Sequence, residues 1–434
     1  MKSLLLLAPK MDGPGGHPYN TCWPGAVDRS VERNRWKVVT PSLLLLATIA
    51  MQEGFDVTVV DEDFLPLPKR DFDLVCMYTV TPTARRAYRY AEAYRARGAY
   101  VALGGVHTSH MQRESALYAD TLLIGEGEYI FREFLRDYLA GRVRKIYLER
   151  PGAVNLEDSP LPLYDALRRE ERRLIPMQSA RGCPHRCRFC NVAGLYGAEF
   201  RRKTRRQVAD ELRAILRLPE ARRIYLTNDN LWSDPDHAKM LFSLFSETGL
   251  TWYANADISF GENERQIRSA YASGLRQVLI GLEGVTEQEV NGMDPFHFKS
   301  GHVQRYAEYI ERIQGQGIGV TGSFIVGREK DTEETFHRLE DFIRKTRLLA
   351  ANITMYTPYP GTPLYRQMKR EGKLLSTDWN DYTIFQPVIR PARLEIEKLN
   401  RLYTQLLTSV NNKEAERNKR VYWMEYYRNR GKPS

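Results

Sequence analysis

Cys183, Cys187 and Cys190 fall within eight residues, in Arg181-Gly182-Cys183-Pro184-His185-Arg186-Cys187-Arg188-Phe189-Cys190, and no cysteine follows them. The amino terminus lacks the length and cleavage pattern of a secretory signal, so a cytoplasmic address is expected. Clustered thiols in such a chain favour a metal over disulfides. Three thiolates can hold three corners of a [4Fe–4S] cube and leave the fourth iron open to a ligand, whereas an electron-transfer cluster takes four. A structural zinc also takes four, and His185, inside the loop, would reach the same ion only under strain. Zinc and inert thiols are the alternatives. Cys22 and Cys76 stand alone and read as ordinary loop or packing thiols.

Stepping outward along the chain, the thiol loop follows an apolar stretch at 175–179 that reads as a strand. Further strands at 223–227, 251–254, 277–281, 320–326 and 352–356, with helical stretches between them, predict a six-stranded partial barrel. Chemistry in a parallel barrel belongs at the carboxyl-terminal face. Asn228-Asp229-Asn230, Glu283 and Pro358-Tyr359-Pro360-Gly361-Thr362-Pro363 fall there, and Trp252, Asn255 and Tyr356 are expected to point into the mouth. Ahead of the barrel, strands at 3–8, 55–60, 72–78, 100–103 and 121–124 alternate with helices near 41–54 and 84–97. That order predicts a parallel sheet with its ligand crevice at the carboxyl ends. Thr79-Val80-Thr81, Gly104-Gly105-Val106-His107-Thr108 and Gly125-Glu126-Gly127-Glu128 lie there, and none supplies the G-x-G-x-x-G pattern of a dinucleotide site.

The 434 residues are too many for one core, and 42% hydrophobic with 27% charged residues describes a folded globular protein. No apolar run approaches the roughly 18 to 20 residues of a membrane span. The net charge of +10 is spread along the chain, with seven basic against three acidic residues at 413–432, and reads as a solvated tail before a nucleic-acid footprint. Expected domains are 1–145, a linker at 146–174, the barrel at 175–363 and a helical extension at 364–434. Within that extension 394–407 has helical apolar spacing, and Tyr422, Trp423, Tyr426 and Tyr427 form an aromatic cluster.

C-x-x-x-C-x-x-C with an aromatic residue before its last cysteine resembles the signature of the radical S-adenosylmethionine (SAM) superfamily. Residues 1 to about 145 are similar to the amino-terminal domain of its cobalamin-binding class, which includes the anaerobic magnesium-protoporphyrin cyclase and many methyltransferases. The resemblance implies an α/β fold: a Rossmann-like cobalamin-binding-type domain, a partial (β/α)6 radical SAM barrel and a helical carboxyl-terminal extension. It implies a [4Fe–4S] cluster on Cys183, Cys187 and Cys190, SAM contacts from Phe189, Asp229, Glu283 and Tyr359, and cobalamin contacts from Thr79, Thr81, Gly104, Gly105, His107, Gly125 and Glu126. Two stations depart from the family pattern: Asn228 replaces an acidic residue and Gly284 a serine. The D-x-H-x-x-G motif that supplies cobalt with a histidine in another cobalamin class is absent from the first domain.

The implied activity is methyl transfer to an unactivated carbon of a small molecule, lipid or natural-product intermediate, through SAM cleavage to a 5′-deoxyadenosyl radical. Flavodoxin or ferredoxin is implied as the low-potential electron donor. A non-methylating cyclase or rearranging enzyme, with or without cobalamin, is the first alternative. A basic iron–sulfur protein that senses redox state or binds RNA is the second; the absence of further cysteines and of a β-rich module at the end weighs against it.

Overall fold

The computed structural model describes residues 1–34, 36–219 and 221–430. Its first sheet contains β1 (Ser3–Ala8), β2 (Asp56–Asp61), β3 (Leu74–Tyr78), β4 (Tyr100–Gly104), β5 (Thr121–Ile124) and β6 (Ile146–Leu148), all parallel, in the order β2-β1-β3-β4-β5-β6. The unbroken apolar run of β1 has two faces to bury. Leu4, Leu6 and Ala8 join a core with the helices Pro41–Gln52 and Glu128–Leu139, while Leu5 and Leu7 join one with the helix Ala84–Ala96. The strand β6 falls at the start of the expected linker. It is an edge strand of three residues in which only Tyr147 is buried, too short to stand out as a period in the sequence.

The second sheet is the partial barrel: β7 (Ile175–Met177), β10 (Arg223–Leu226), β11 (Thr251–Ala256), β12 (Leu275–Glu283), β13 (Gly319–Val326) and β14 (Ala350–Met355), all parallel and in chain order. Between β7 and β10, the two-residue strands β8 (Ala180–Arg181) and β9 (Arg201–Arg202) pair antiparallel and close off the thiol loop. The expected place of Trp252 is corrected here. Burial alternates along β11, and Trp252 takes the face turned to the surrounding helices. Its ring stacks on Phe245 at 4.7 Å and its indole N–H donates to Ser273 O at 3.1 Å. Tyr253 and Asn255 therefore take the inner face.

The extension begins as a helix, Pro363–Arg370, and ends in the helices Ile396–Val410 and Lys413–Arg430. Between them the chain meanders, because Pro387 and Pro391 exclude a continuous helix. That meander carries Trp379, Tyr382 and Val388 into the core of the first sheet, so the extension clasps both domains. Residues 431–434 and the Tyr427 side chain lie outside the described residues. Among the described residues no helix is long and apolar enough to cross a membrane.

Candidate functional site

The thiol loop is pinned through both backbone groups of Arg188. Arg188 N–H donates to Met293 O at 2.8 Å, and Leu364 N–H donates to Arg188 O at 3.0 Å. Gly182 has φ of 96°, and a Cβ there would lie 2.0 Å from Glu199 O, so only glycine admits this crossing. Burial pushes the Cys183, Cys187 and Cys190 thiols each up to about 12, and neighbouring thiols and carboxylates add to it, so thiolates here need a cation. Among the described residues no three of His, Cys, Asp and Glu gather closely enough for a single metal ion. His185 is engaged elsewhere, with Nε2 3.0 Å from Asp257 Oδ2 and its ring 4.2 Å from that of Phe298. The donor set is three thiols on one loop, which fits a cube with an open corner better than zinc.

The strand ends of the barrel position this loop. Asp229 accepts a hydrogen bond from Gly182 N–H at 2.8 Å, and burial pushes its carboxyl up to about 6 against the pull of that amide and of Arg181. Asn228 is fully buried and works in both directions. Its Oδ1 accepts from Ser179 N–H and Ala180 N–H at 2.8 and 3.1 Å, and its Nδ2 donates to Ser179 Oγ at 2.9 Å. A carboxylate could not donate that last bond, which accounts for asparagine where the family pattern has an acid.

Glu283 ends β12 at a register shift and has φ of 65°, a strained conformation for a residue with a side chain. Its Oε1 lies 3.3 Å from Lys299 Nζ, which also donates to Gly281 O at 2.7 Å. Burial opposes a charged Lys299, but Glu283 and the Cys187 thiol outweigh it and raise its pKa. The second departure from the family pattern has a steric cause. A Cβ on Gly284 would lie 2.7 Å from Glu289 Cβ and 2.9 Å from Arg328 Nη1. Lys299 and Arg328 belong to no motif: Lys299 comes from a helical turn without a strand signal, and Arg328 from the loop just after the expected strand at 320–326.

Phe189 and Tyr359, expected at SAM, pack within the chain. The Phe189 ring lies 6.4 Å from that of Tyr356, edge to face, in a small cluster with Leu364, Met368 and Ile389. Tyr359 Oη donates to Tyr382 O at 2.9 Å, and its ring borders the core of the first sheet.

At the carboxyl edge of the first sheet the polar side chains satisfy one another. Thr79 Oγ1 lies 2.7 Å from Thr108 Oγ1 and donates to Gly104 O. His107 is 1% exposed, with Nδ1 3.2 Å from Thr81 Oγ1 and Nε2 3.1 Å from Tyr88 Oη; burial lowers its pKa to about 3. Glu126 accepts from Arg181 and Arg201, and Arg181 also pairs with Glu128 at 2.7 Å. Arg181 immediately precedes Gly182 and Cys183, so this buried network ties one strand edge to the other.

A narrow cavity lies between the glycines and the helix Pro41–Gln52, lined by Gly104, Gly105, Gly125, Gly127, Tyr78 and Tyr196. Among the described residues Ser42 Oγ and Glu128 Oε2, buried beside it, have no hydrogen-bond partner. Such atoms await a ligand's donors. A second cavity of about 230 Å³ shares Ser42, Leu45, Tyr78, Arg181 and Tyr196 with the first and reaches Asp229. The two cavities adjoin across these shared side chains, one bordered by the glycine loops and the other by Asp229. A third cavity of about 360 Å³, lined by Met11, Trp36, Pro82, Tyr225, Leu279 and Phe385 among others, occupies the barrel interior.

Residues 177–343 match the model of the Radical SAM superfamily. The chain is 29% identical over 378 residues to the bacteriochlorophyllide d C-12(1)-methyltransferase of Chlorobaculum tepidum, covering 85% of this chain and 82% of that protein. It is 26% identical over 344 residues to the bacteriochlorophyllide d C-8(2)-methyltransferase of the same organism, covering 75% and 74%. Among solved structures it superposes on the cobalamin-dependent S-adenosylmethionine radical enzyme OxsB with a TM-score of 0.70 and 13% identity, over 99% of this chain and 71% of that one. That likeness is one of fold.

Proposed function

We propose that this chain, a radical SAM protein whose cofactors are a [4Fe–4S] cluster and SAM, is a cobalamin-dependent methyltransferase acting on an unactivated carbon of a small molecule. The observation that carries the cobalamin part is the glycine-lined cavity with two oxygens, Ser42 Oγ and Glu128 Oε2, that have no partner among the described residues, adjoining the cavity that reaches Asp229. When bound, the cluster supplies the electron that splits SAM into methionine and a 5′-deoxyadenosyl radical, and the corrinoid supplies a methyl carrier. The chain's own part is to hold and enclose. Cys183, Cys187 and Cys190 hold the cluster, and the Asp229–Gly182 bond fixes the start of their loop. Lys299 holds Glu283 in place, and Gly104, Gly105, Gly125 and Gly127 let the corrinoid approach the backbone. The third cavity is mainly aromatic and aliphatic, with Thr321, Asn352, Thr383 and Asn411 as polar exceptions, and suits a largely apolar substrate skeleton.

The test is bound cobalt and iron after anaerobic iron–sulfur reconstitution with hydroxocobalamin and desalting. The expected result is about one cobalt per chain, together with iron that is lost in a Cys183→Ala variant and methyl label passing from SAM to product. A folded protein that cleaves SAM but retains no cobalt would overturn the corrinoid assignment and leave a radical SAM enzyme of another kind.

A further inference from the structure

The thiol loop is fastened at every third residue. Gly182 N–H is held by Asp229, Arg188 is held by backbone partners, and midway between them His185 is held through its side chain. Its Nε2 lies 3.0 Å from Asp257 Oδ2, and its ring lies 4.2 Å from that of Phe298 at 34°. The His185 and Asp257 side chains are only 16% and 13% exposed, so little water competes for the bond. Asp257 directly follows β11 and is itself fixed from several directions. Its carboxylate accepts from Asn230 Nδ2 at 2.6 Å and from Ser259 N–H at 3.0 Å, and its own N–H donates to Asn230 Oδ1 at 3.0 Å. These bonds and the one from His185 outweigh burial and keep its carboxyl below the ordinary value. A carboxylate can only accept, so the imidazole donates.

The backbone of the same residue meets a cluster ligand. His185 N–H donates to the Cys183 sulfur, a bond that opposes the burial of this thiol. The other two thiols have neighbours of the same polarity: Val192 N–H donates to Cys190, and the Lys299 ammonium favours the thiolate of Cys187. Val192 and Lys299 are carried by the helical segments Val192–Tyr196 and Phe298–His302. The His185 amide instead sits in an open turn, followed by Arg186 with φ of 51°, a conformation that persists in a non-glycine residue only where its surroundings impose it. In that turn the side-chain tie to Asp257 is the nearest hold on the direction of the amide. Hydrogen bonds to ligand sulfurs withdraw charge from them and are one of the levers that set the potential of an iron–sulfur cluster. We propose that the His185–Asp257 pair is a latch that keeps the His185 amide on the Cys183 sulfur and thereby raises the potential of the cluster. His185 acts through that amide, as a positioning residue, and Asp257 acts through His185. The end of β11 so gains a hold on the cluster without supplying a ligand.

The latch rests on the [4Fe–4S] assignment, and its test separates the two. Wild type, His185→Phe, His185→Gln, Asp257→Asn and the double variant His185→Phe/Asp257→Asn would be reconstituted anaerobically and assayed for iron. Each would then be taken through a redox titration followed by electron paramagnetic resonance of the reduced cluster. Phenylalanine keeps the packing on Phe298 and removes the donor, whereas glutamine restores a donor. At the wild-type midpoint the ratio of reduced to oxidised cluster should fall about tenfold in His185→Phe, about 59 mV for one electron, with iron content unchanged. Asp257→Asn should shift the ratio in the same direction, and His185→Gln should recover most of the loss. Because both residues act along one path, the double variant should shift no further than His185→Phe. An unchanged midpoint in His185→Phe and Asp257→Asn, an undiminished shift in His185→Gln, or additive shifts in the double variant would overturn the latch. If His185→Phe takes up less iron, the midpoint of Asp257→Asn, on a different segment, decides in its place. A wild type that takes up no four-iron cluster would overturn the cluster assignment and the latch with it.

Discussion

The carboxyl-terminal edges of the two sheets do opposite things with their polar residues. In the first sheet Thr79, Thr81, His107 and Glu126 bond one another or a neighbouring strand, and the strand-end loops turn glycine to the cavity, whose polar atoms come mainly from Ser42 and Glu128. At the barrel edge the thiols, Asp229 and Lys299–Glu283 stay as reactive or charged groups around one loop. The same rule of parallel sheets places both edges at a ligand. One edge recognises by shape and backbone, the other by charge and coordination. The second edge is legible in the sequence because its side chains are the chemistry, whereas at the first Thr79, Thr81 and His107 serve as scaffold.

The largest effect should come from cutting the tie between the edges. Arg181 is 7% exposed and pairs with both Glu126 and Glu128. Arg181→Met should cost about 3–5 kcal/mol by stranding buried carboxylates, read as a lower denaturant midpoint, and adding Glu128→Gln should recover part of the loss. A loss below about 1 kcal/mol would mean that the edges hold independently. Within the first edge, Gly105→Ala and Gly104→Ala sharpen the claim that backbone makes the cradle. A Cβ at Gly105, with φ of 97°, would lie 2.6 Å from Thr79 O, whereas at Gly104 the nearest atoms are at an ordinary 3.4 Å. We expect a loss of roughly 2–3 kcal/mol for the first and under about 1 kcal/mol for the second in thermal melts.

Each edge also keeps one neutral buried histidine, and the pair predicts acid lability. Burial lowers His107 to about 3, with His110 and Arg85 adding to it, and lowers His237 to about 4. Both folded values lie below the ordinary 6.5, so the unfolded chain binds the extra protons as pH falls. Stability from each is therefore full above about pH 6.5 and declines by roughly 1.4 kcal/mol per pH unit between there and about pH 4. Replacing either by glutamine should flatten the measured slope by about one proton; an unchanged slope would show that the histidine is already charged in the fold.

Much of this was legible in the sequence for a physical reason. Strands such as β1, buried on both faces, are continuous apolar runs and others such as β11 alternate, so eleven of the twelve strands in the two large sheets coincide with expected strands, while the three-residue edge strand β6 has no period to show. The thiol loop was legible because coordination demands side chains close in sequence. Lys299, Arg328 and Ser42 were not, because each gains its role from where a distant segment passes. Trp252 was misplaced because an aromatic residue at a strand end does not announce its face; only the alternation along β11, fixed by Tyr253 and Asn255, decides it. Tyr359 and His107 carry side chains able to meet a ligand, yet packing against the extension uses them, and the meander 371–395 that does so has no periodic pattern.

The last effect is at Asn228, where the barrel edge departs from the radical SAM pattern. Ser179 Oγ stands between Asn228 Nδ2 at 2.9 Å and His237 Nε2 at 3.0 Å. With asparagine donating, the hydroxyl is free to donate onward to a histidine that accepts, which is the neutral state its low pKa favours. Asn228→Asp keeps both bonds from Ser179 N–H and Ala180 N–H but removes the donor, so the hydroxyl must turn toward the carboxylate and His237 must donate in its place. The fold should lose about 1–2 kcal/mol at neutral pH. The acid slope should also shallow, because an aspartate linked through Ser179 stabilises a protonated His237 and lifts its pKa toward the unfolded value. A variant with wild-type stability and an unchanged slope would show that the relay through Ser179 carries no coupling, and would leave the asparagine as a spacer that an acid could replace.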